Sequence, residues 1–262
     1  MKTAESLRLV ANVVLVGAVG VGKSSIINLL AQSDLAPTSS SAAPCTSECK
    51  AYEIAIPPTD PTQKPTHKIC LWDTPGLTSE VPQPDQHHFQ HLLDLRLKEG
   101  WVEKPVDLIV FCIRSGIRDL ISTRANWEIV RSIILGSNIP VLIVVTGLET
   151  EKPDMESWWR KSEKQFNMQG IELSPHCKEL CITTLKEDLH TQRYRQSYSS
   201  LWATILSMSK LPKSQKAKVI PPKRIRSYLK AYHQGGFEAA GVVLNWTPPS
   251  GWSCGSLKTT ES

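Results

Sequence analysis

The 262 residues, 40% hydrophobic and 21% charged with a net charge of +5, have the balance of an ordinary soluble chain able to bury a proper core. The longest apolar stretches, such as VLIVV at 141–145, fall far below the roughly 18 to 20 residues needed to cross a bilayer, so a membrane-spanning helix is excluded. The charge is uneven: residues 211–262 carry +6 and the first 210 about −1, which separates a main domain at 1–210 from a basic, solvated and disordered C-terminal tail that offers a contact for anionic surfaces.

Lys2 followed by an apolar stretch imitates a secretory leader, but Arg8 and Asn12 interrupt it, and a glycine-rich motif stands where the cleavage site would be. The first strand is read over 9–16. At its end Gly17, Ala18, Val19, Gly20, Val21, Gly22, Lys23, Ser24 and Ser25 spell GAVGVGKSS, a match to G-x-x-x-x-G-K-S/T, and a helix is read directly after it over 23–32. Strand, loop and helix are the setting in which that motif works. Backbone amides freed of side-chain bulk close around a phosphate chain, and the helix N-terminus adds its partial positive charge. Lys23 is then expected to bridge the terminal phosphates, the Ser24 hydroxyl to ligate Mg²⁺, and Gly20 and Gly22 to let the backbone approach.

The serine-rich TSSSAAP at 38–44 reads as a mobile loop. Strands follow over 49–56 and 67–73, joined by PPTDPTQKPT, an exposed proline-rich loop. The second of these ends in WDTPG. Asp73 at a strand end faces the phosphates and is placed to hold Mg²⁺ through water, while the Gly76 N–H is placed to sense a γ-phosphate. Beyond lie a helix over 86–99, a strand over 107–113, a helix over 119–135, a strand over 140–146, a helix over 154–168, a strand over 180–184 and a helix over 191–209. Continuous apolar runs, rather than strict alternation, predict strands covered on both faces: a three-layer α/β fold with a mostly parallel sheet between helices.

Seven cysteines are an odd number. Cys70 and Cys112 lie inside strand-like runs, as buried, reduced thiols of a cytoplasmic protein do. The pairs Cys45/Cys49 and Cys177/Cys181, the latter beside His176, lack the tighter spacings of zinc sites. Trp158 and Trp159 on a helix read as packing residues.

On GVGKSSIINLLA, the CT at 45–46, LWDTPGL, VVTGLE and ESWW, the chain resembles the fungal G domain-containing proteins, P-loop GTPases of the translation-factor-like class related to the immunity-associated and septin-like GTPases. The resemblance covers about residues 9 to 208. It implies that Thr46 is the switch I threonine, closing over Mg²⁺ and the γ-phosphate, with Thr38 as the fallback. Ser24, Thr46 and Asp73 are then the metal ligands, Lys23, Thr46 and Gly76 the groups at the reacting phosphate, and GTP or GDP the ligand. Base recognition departs from the usual Asn/Thr-Lys-x-Asp, whose carboxylate accepts two hydrogens from guanine and whose lysine stem covers the ring. Here the strand runs into Thr146-Gly147-Leu148-Glu149, and Thr146 and Glu149 are the candidates at the base. The resemblance also brings the backbone of CITT at 181–184 toward the base.

Many GTPases place a water-orienting glutamine after D-x-x-G, whereas this chain has Leu77. Intrinsic turnover is therefore expected to be slow. Help can come from a partner, from an identical subunit across the nucleotide face, or from polar groups such as Thr78 or His87; Arg114, Arg118 and Arg124 are the arginines available to a dimer. The expectation is a Mg²⁺-dependent GTP-binding switch with weak GTPase activity. Two rivals stand beside it: a nucleotide-binding interaction module without turnover, and an ATP-dependent P-loop enzyme.

Overall fold

The computed structural model describes residues 7–38, 49–60, 62–77, 106–116, 123–124, 126–127, 130, 139–168, 170–171, 177–186 and 190–209. The elements are β1 (Arg8–Gly17), α1 (Lys23–Ala31), β2 (Lys50–Ala55), β3 (His67–Asp73), β4 (Leu108–Arg114), β5 (Val141–Thr146), α2 (Glu156–Met168), β6 (Cys177–Cys181) and α3 (Thr191–Ser209). The six strands form one sheet in the order β2-β3-β1-β4-β5-β6. Only β2 runs antiparallel to its neighbour, and its alternating burial is that of an edge strand with one wet face. Every residue of β5 and all but the last of β4 are buried, as parallel strands roofed on both sides must be.

Alternate residues of the central strands feed two separate layers. Val13, Leu15, Leu108, Val110, Leu142 and Val144 pack with Ile26, Ile27 and Leu30 of α1 and with Leu201, Trp202 and Ile205 of α3. From the opposite face Phe111 meets Trp127, ring centroids 5.3 Å apart, and the described residues between 123 and 130 are helical. Each fully buried Leu, Ile or Phe in these layers contributes about 1.5–3 kcal/mol. Trp159 and Phe166 of α2 are buried with ring centroids 5.3 Å apart, so this tryptophan packs as expected. Cys70 and Cys112 are buried as well.

The last strand lies earlier than its apolar run predicts, at Cys177–Cys181 instead of 180–184. Its register is set by β5, from Val141 opposite Cys177 to Val145 opposite Cys181. After Ile182 gives its N–H to Val145 O, the Thr183 N–H turns to the Ser197 hydroxyl of α3. The segment 182–184 thus leaves the ladder and becomes a loop at the carboxyl edge of the sheet. In the loop at 57–66, Asp60 accepts the N–H and hydroxyl of Thr62 in a local turn.

Contacts divide the chain into Met1–Lys218 and Val219–Ser262; every described residue lies in the first. The predicted helix at 86–99 and the basic tail lie outside the described residues, and no helix among the described residues is long and apolar enough to cross a membrane.

Candidate functional site

β1 lies between β3 and β4, so its carboxyl end opens at the centre of the sheet edge. The chain turns there through Gly22, which caps α1 in the left-handed region at φ 94°, a conformation that costs a side-chain-bearing residue about 1 kcal/mol or more. Ser24 and Ser25 stand half-buried in the first turn of the helix. Lys23 folds back into the loop: its Nζ donates to Gly17 O at 3.1 Å and Ala18 O at 2.9 Å and the residue is 6% exposed. Burial holds the ammonium below the ordinary lysine value, and Cys112 and Asp73 pull it back up. Burial pushes the Cys112 thiol up to about 12.

Asp73 ends β3 and is buried. Its Oδ2 accepts the Ser24 hydroxyl at 2.7 Å, joining two hard oxygen donors beside the loop. From Asp73 the chain runs along the loop rather than away from it. The Thr74 hydroxyl donates to Leu15 O, the Leu77 N–H donates to Gly17 O at 3.0 Å, and Ala18 and Leu77 form an isolated parallel bridge. Gly76 sits directly on Val19, whose Cα lies 2.6 Å from where a Cβ on Gly76 would be. The whole of 17–25, Asp73 and Gly76 is thereby one cluster.

Leu77 is 4% exposed. Its side chain is a buried packing group, not one turned to solvent. Leu77→Gln is expected to leave hydrolysis unchanged and to cost about 1–3 kcal/mol by burying an amide, read by phosphate release and chemical denaturation; faster turnover in the variant would refute this placement.

Thr146, at the end of β5, is buried, and its hydroxyl donates to Val21 O at 2.7 Å. It braces the phosphate loop from the neighbouring strand. Thr146→Val is expected to lower unfolding free energy by about 1–3 kcal/mol through the stranded carbonyl, measured by denaturant titration without nucleotide.

Beyond Thr146, two loops meet. The Thr183 hydroxyl donates to Glu149 Oε2 at 3.1 Å and accepts the Leu185 N–H. Arg193 of α3 donates through Nη1 to the carbonyls of Leu148 and Glu149 at 3.0 and 3.1 Å, and through Nη2 to Pro153 O at 3.3 Å. Ser197 Oγ donates to Arg193 O while accepting from Thr183 N. The sequence reading finds Glu149 and the CITT segment but misses Arg193 and Ser197. Both are separated from their partners along the chain, Arg193 by 44 or 45 residues from the Glu149 and Leu148 carbonyls, and no local motif marks them. Thr46, Thr78, His87 and Arg118 lie outside the described residues, and Thr38 is exposed. Among the described residues no group of three or more His, Cys, Asp or Glu could hold a metal; Cys45 and His176, of the two cysteine pairings, lie outside the described residues.

The family model described as 50S ribosome-binding GTPase matches residues 12–147, which span this loop, the Asp73 strand and β5. A comparison with curated proteins finds no match. Among solved structures, Toc33 from Arabidopsis thaliana in complex with Mg²⁺ and GMPPNP is similar with a TM-score of 0.58 at 14% identity, covering 79% of this chain and 87% of that one. A structure bearing on the importance of dimerization for the GTPase activity of the chloroplast translocon components atToc33 and psToc159 has a TM-score of 0.56 at 16% identity, with 82% and 87% covered. Era from Aquifex aeolicus bound to GDP and AlF4⁻ has a TM-score of 0.50 at 19% identity, with 87% and 68% covered. At these identities the likeness is one of fold.

Proposed function

The chain belongs to this GTPase family, and on that premise we propose that it binds guanine nucleotides with Mg²⁺ and hydrolyses GTP slowly, as a switch between nucleotide states. The observation that carries the reading is the Lys23–Ser24–Asp73 cluster: an ammonium held on the loop carbonyls, one residue from a hydroxyl bonded to the strand-end carboxylate. That hydroxyl and carboxylate fit a small hard cation, and Ser24, Asp73 and Thr46 would hold it. Mg²⁺, when bound, would neutralise charge on the phosphates.

The chain's own residues do the rest. Lys23 pairs with the terminal phosphates, the loop amides from Ala18 to Ser25 line the phosphate chain, and the N–H of Gly76, a residue packed against Val19, senses the γ-phosphate. Glu149, oriented by Thr183 and by the Arg193 clasp on its carbonyl, accepts hydrogens from guanine. A carboxylate matches guanine, whose ring N–H and amino group donate, better than adenine, which has no ring N–H to offer. The packing of Leu77 supports slow turnover, and a second copy of the chain across the nucleotide face is the proposed source of help, by analogy with atToc33 and psToc159, for whose GTPase activity dimerization is important. Among the GTPases we assign the chain to the fungal, septin-like and immunity-associated group on GVGKSSIINLLA, LWDTPGL and VVTGLE. The buried thiols of Cys70 and Cys112 support a cytoplasmic reading, and the basic tail beyond 210 is proposed as a contact for anionic surfaces.

The same burial of Leu77 supports a second reading, a nucleotide-binding module that does not turn over. Phosphate release from labelled GTP separates the two. The proposed function predicts release on the order of 10⁻³ s⁻¹ or slower, rising with protein concentration and competed by GDP but not by ATP. Binding without release over hours supports the module, and equal competition by ATP overturns guanine recognition.

A further inference from the structure

Gly147 stands where the usual base-recognition element carries its lysine, and a side chain there would press on Ser115 Oγ and touch the Arg114 stem. A Cβ built on Gly147 would lie 3.5 Å from Arg114 Cγ, 3.7 Å from Arg114 Nε and 3.0 Å from Ser115 Oγ. Gly147 also sits at φ +76°, where a side-chain-bearing residue is strained. Arg114 reaches this place from the other strand: it is the last residue of β4, opposite Thr146 of β5. The register is locked by Ser115, whose N–H donates to Thr146 O at 2.8 Å and whose hydroxyl donates to Gly147 O at 2.5 Å. The far end of Arg114 extends to the phosphate loop, where Nη1 donates to Gly20 O at a long 3.4 Å. One exposed side chain therefore runs from the base loop to the tip of the phosphate loop. Among the described residues no carboxylate pairs with it.

Resting on the guanine-nucleotide reading above, we infer that Arg114 replaces the missing lysine: its stem and guanidinium cover one face of the bound base and ribose and tie the base loop to the phosphate loop. A guanidinium is planar, permanently charged and weakly hydrated, and it stacks on a purine face while its remaining N–H groups keep a carbonyl partner. This arrangement gives Gly147 a reason. A side chain there would be strained by the positive φ and tight against Ser115 Oγ, while the glycine leaves the Arg114 stem at ordinary contact distance. It also turns Arg114 toward its own loop rather than toward a partner subunit as an arginine donor.

The test compares GDP with inorganic tripolyphosphate, which has phosphates and no base, as competitors for a fluorescent guanine nucleotide on the full chain. Arg114→Ala is expected to weaken GDP about tenfold and to leave tripolyphosphate unchanged; retained tripolyphosphate affinity also reports an intact loop. Arg114→Lys, which keeps a stem and a charge but not the stacking plane, is expected to recover part of the loss. The inference is overturned if Arg114→Ala binds GDP like the parent, if GDP and tripolyphosphate weaken by the same factor, as a role in shaping the phosphate loop alone requires, or if lysine behaves as alanine does. Should the parent itself bind tripolyphosphate but not GDP, the guanine reading fails first, and the parent control identifies that failure.

Discussion

Lys23→Ala is expected to weaken both GTP and GDP by at least about a hundredfold, the effect of removing a charge-assisted partner of roughly 3 kcal/mol or more from a phosphate site. The nucleotide-free fold is expected to survive. Burial disfavours the ammonium, so its removal relieves a desolvation cost, while Gly17 O keeps the Leu77 N–H as a partner. Melting with and without GDP separates the two effects. At a concentration of 100 times its Kd, ligand stabilises the parent by about 2.7 kcal/mol; the variant is expected to melt near the nucleotide-free parent and to show no shift. A GDP-induced shift of parental size in Lys23→Ala would contradict the assignment of the phosphate cradle.

Gly76→Ala carries the second largest expected effect. The added methyl would stand 2.5 Å from Val19 Cγ2, 2.6 Å from Val19 Cα and 2.7 Å from Val19 N. Rotation of the valine relieves only the first of these contacts. The backbone must move, and the Asp73–Leu77 segment parts from the phosphate loop, breaking the Leu77 N–H bond to Gly17 O and the bridge to Ala18. A loss of about 1–3 kcal/mol in stability is expected from the overpacking, read by chemical denaturation. The functional consequence is sharper, because the displaced amide is the one proposed to face the γ-phosphate. The ratio of GTP to GDP affinity in Mg²⁺ is expected to change while GDP binding is largely retained; an unchanged ratio would show that Gly76 has no part in sensing the third phosphate.

The parts of this site that can be read from sequence are those built by local physics. The phosphate loop is a run of consecutive residues whose glycines, lysine and serine each answer a local requirement, and β4 and β5 declare themselves as buried parallel strands by unbroken apolar runs. Asp73 is found because its strand ends there. What escapes the sequence is decided across distance. The end of β6 is set by its register on β5, not by the apolar run that continues to Ile182. Thr146 carries a hydroxyl suited to a ligand, yet that hydroxyl is bonded to Val21 O, 125 residues earlier. Leu77 announces only that it cannot orient water; that it is a packing residue beneath the loop follows from the Ala18 bridge. Gly147 looks like a gap in a motif until the Arg114 stem is seen lying alongside it.

The central claim is that the carboxyl end of β1, with Lys23, Ser24 and Asp73, holds a guanine nucleotide and Mg²⁺. Equilibrium titration of the purified chain with GDP, GTP and ATP, each with Mg²⁺ and with chelator, tests it most directly. The account predicts saturable GDP and GTP binding that weakens when the cation is removed, and ATP binding at least about tenfold weaker because its purine has no ring N–H for Glu149. No uptake of either guanine nucleotide, or affinity indifferent to both base and cation, would contradict it.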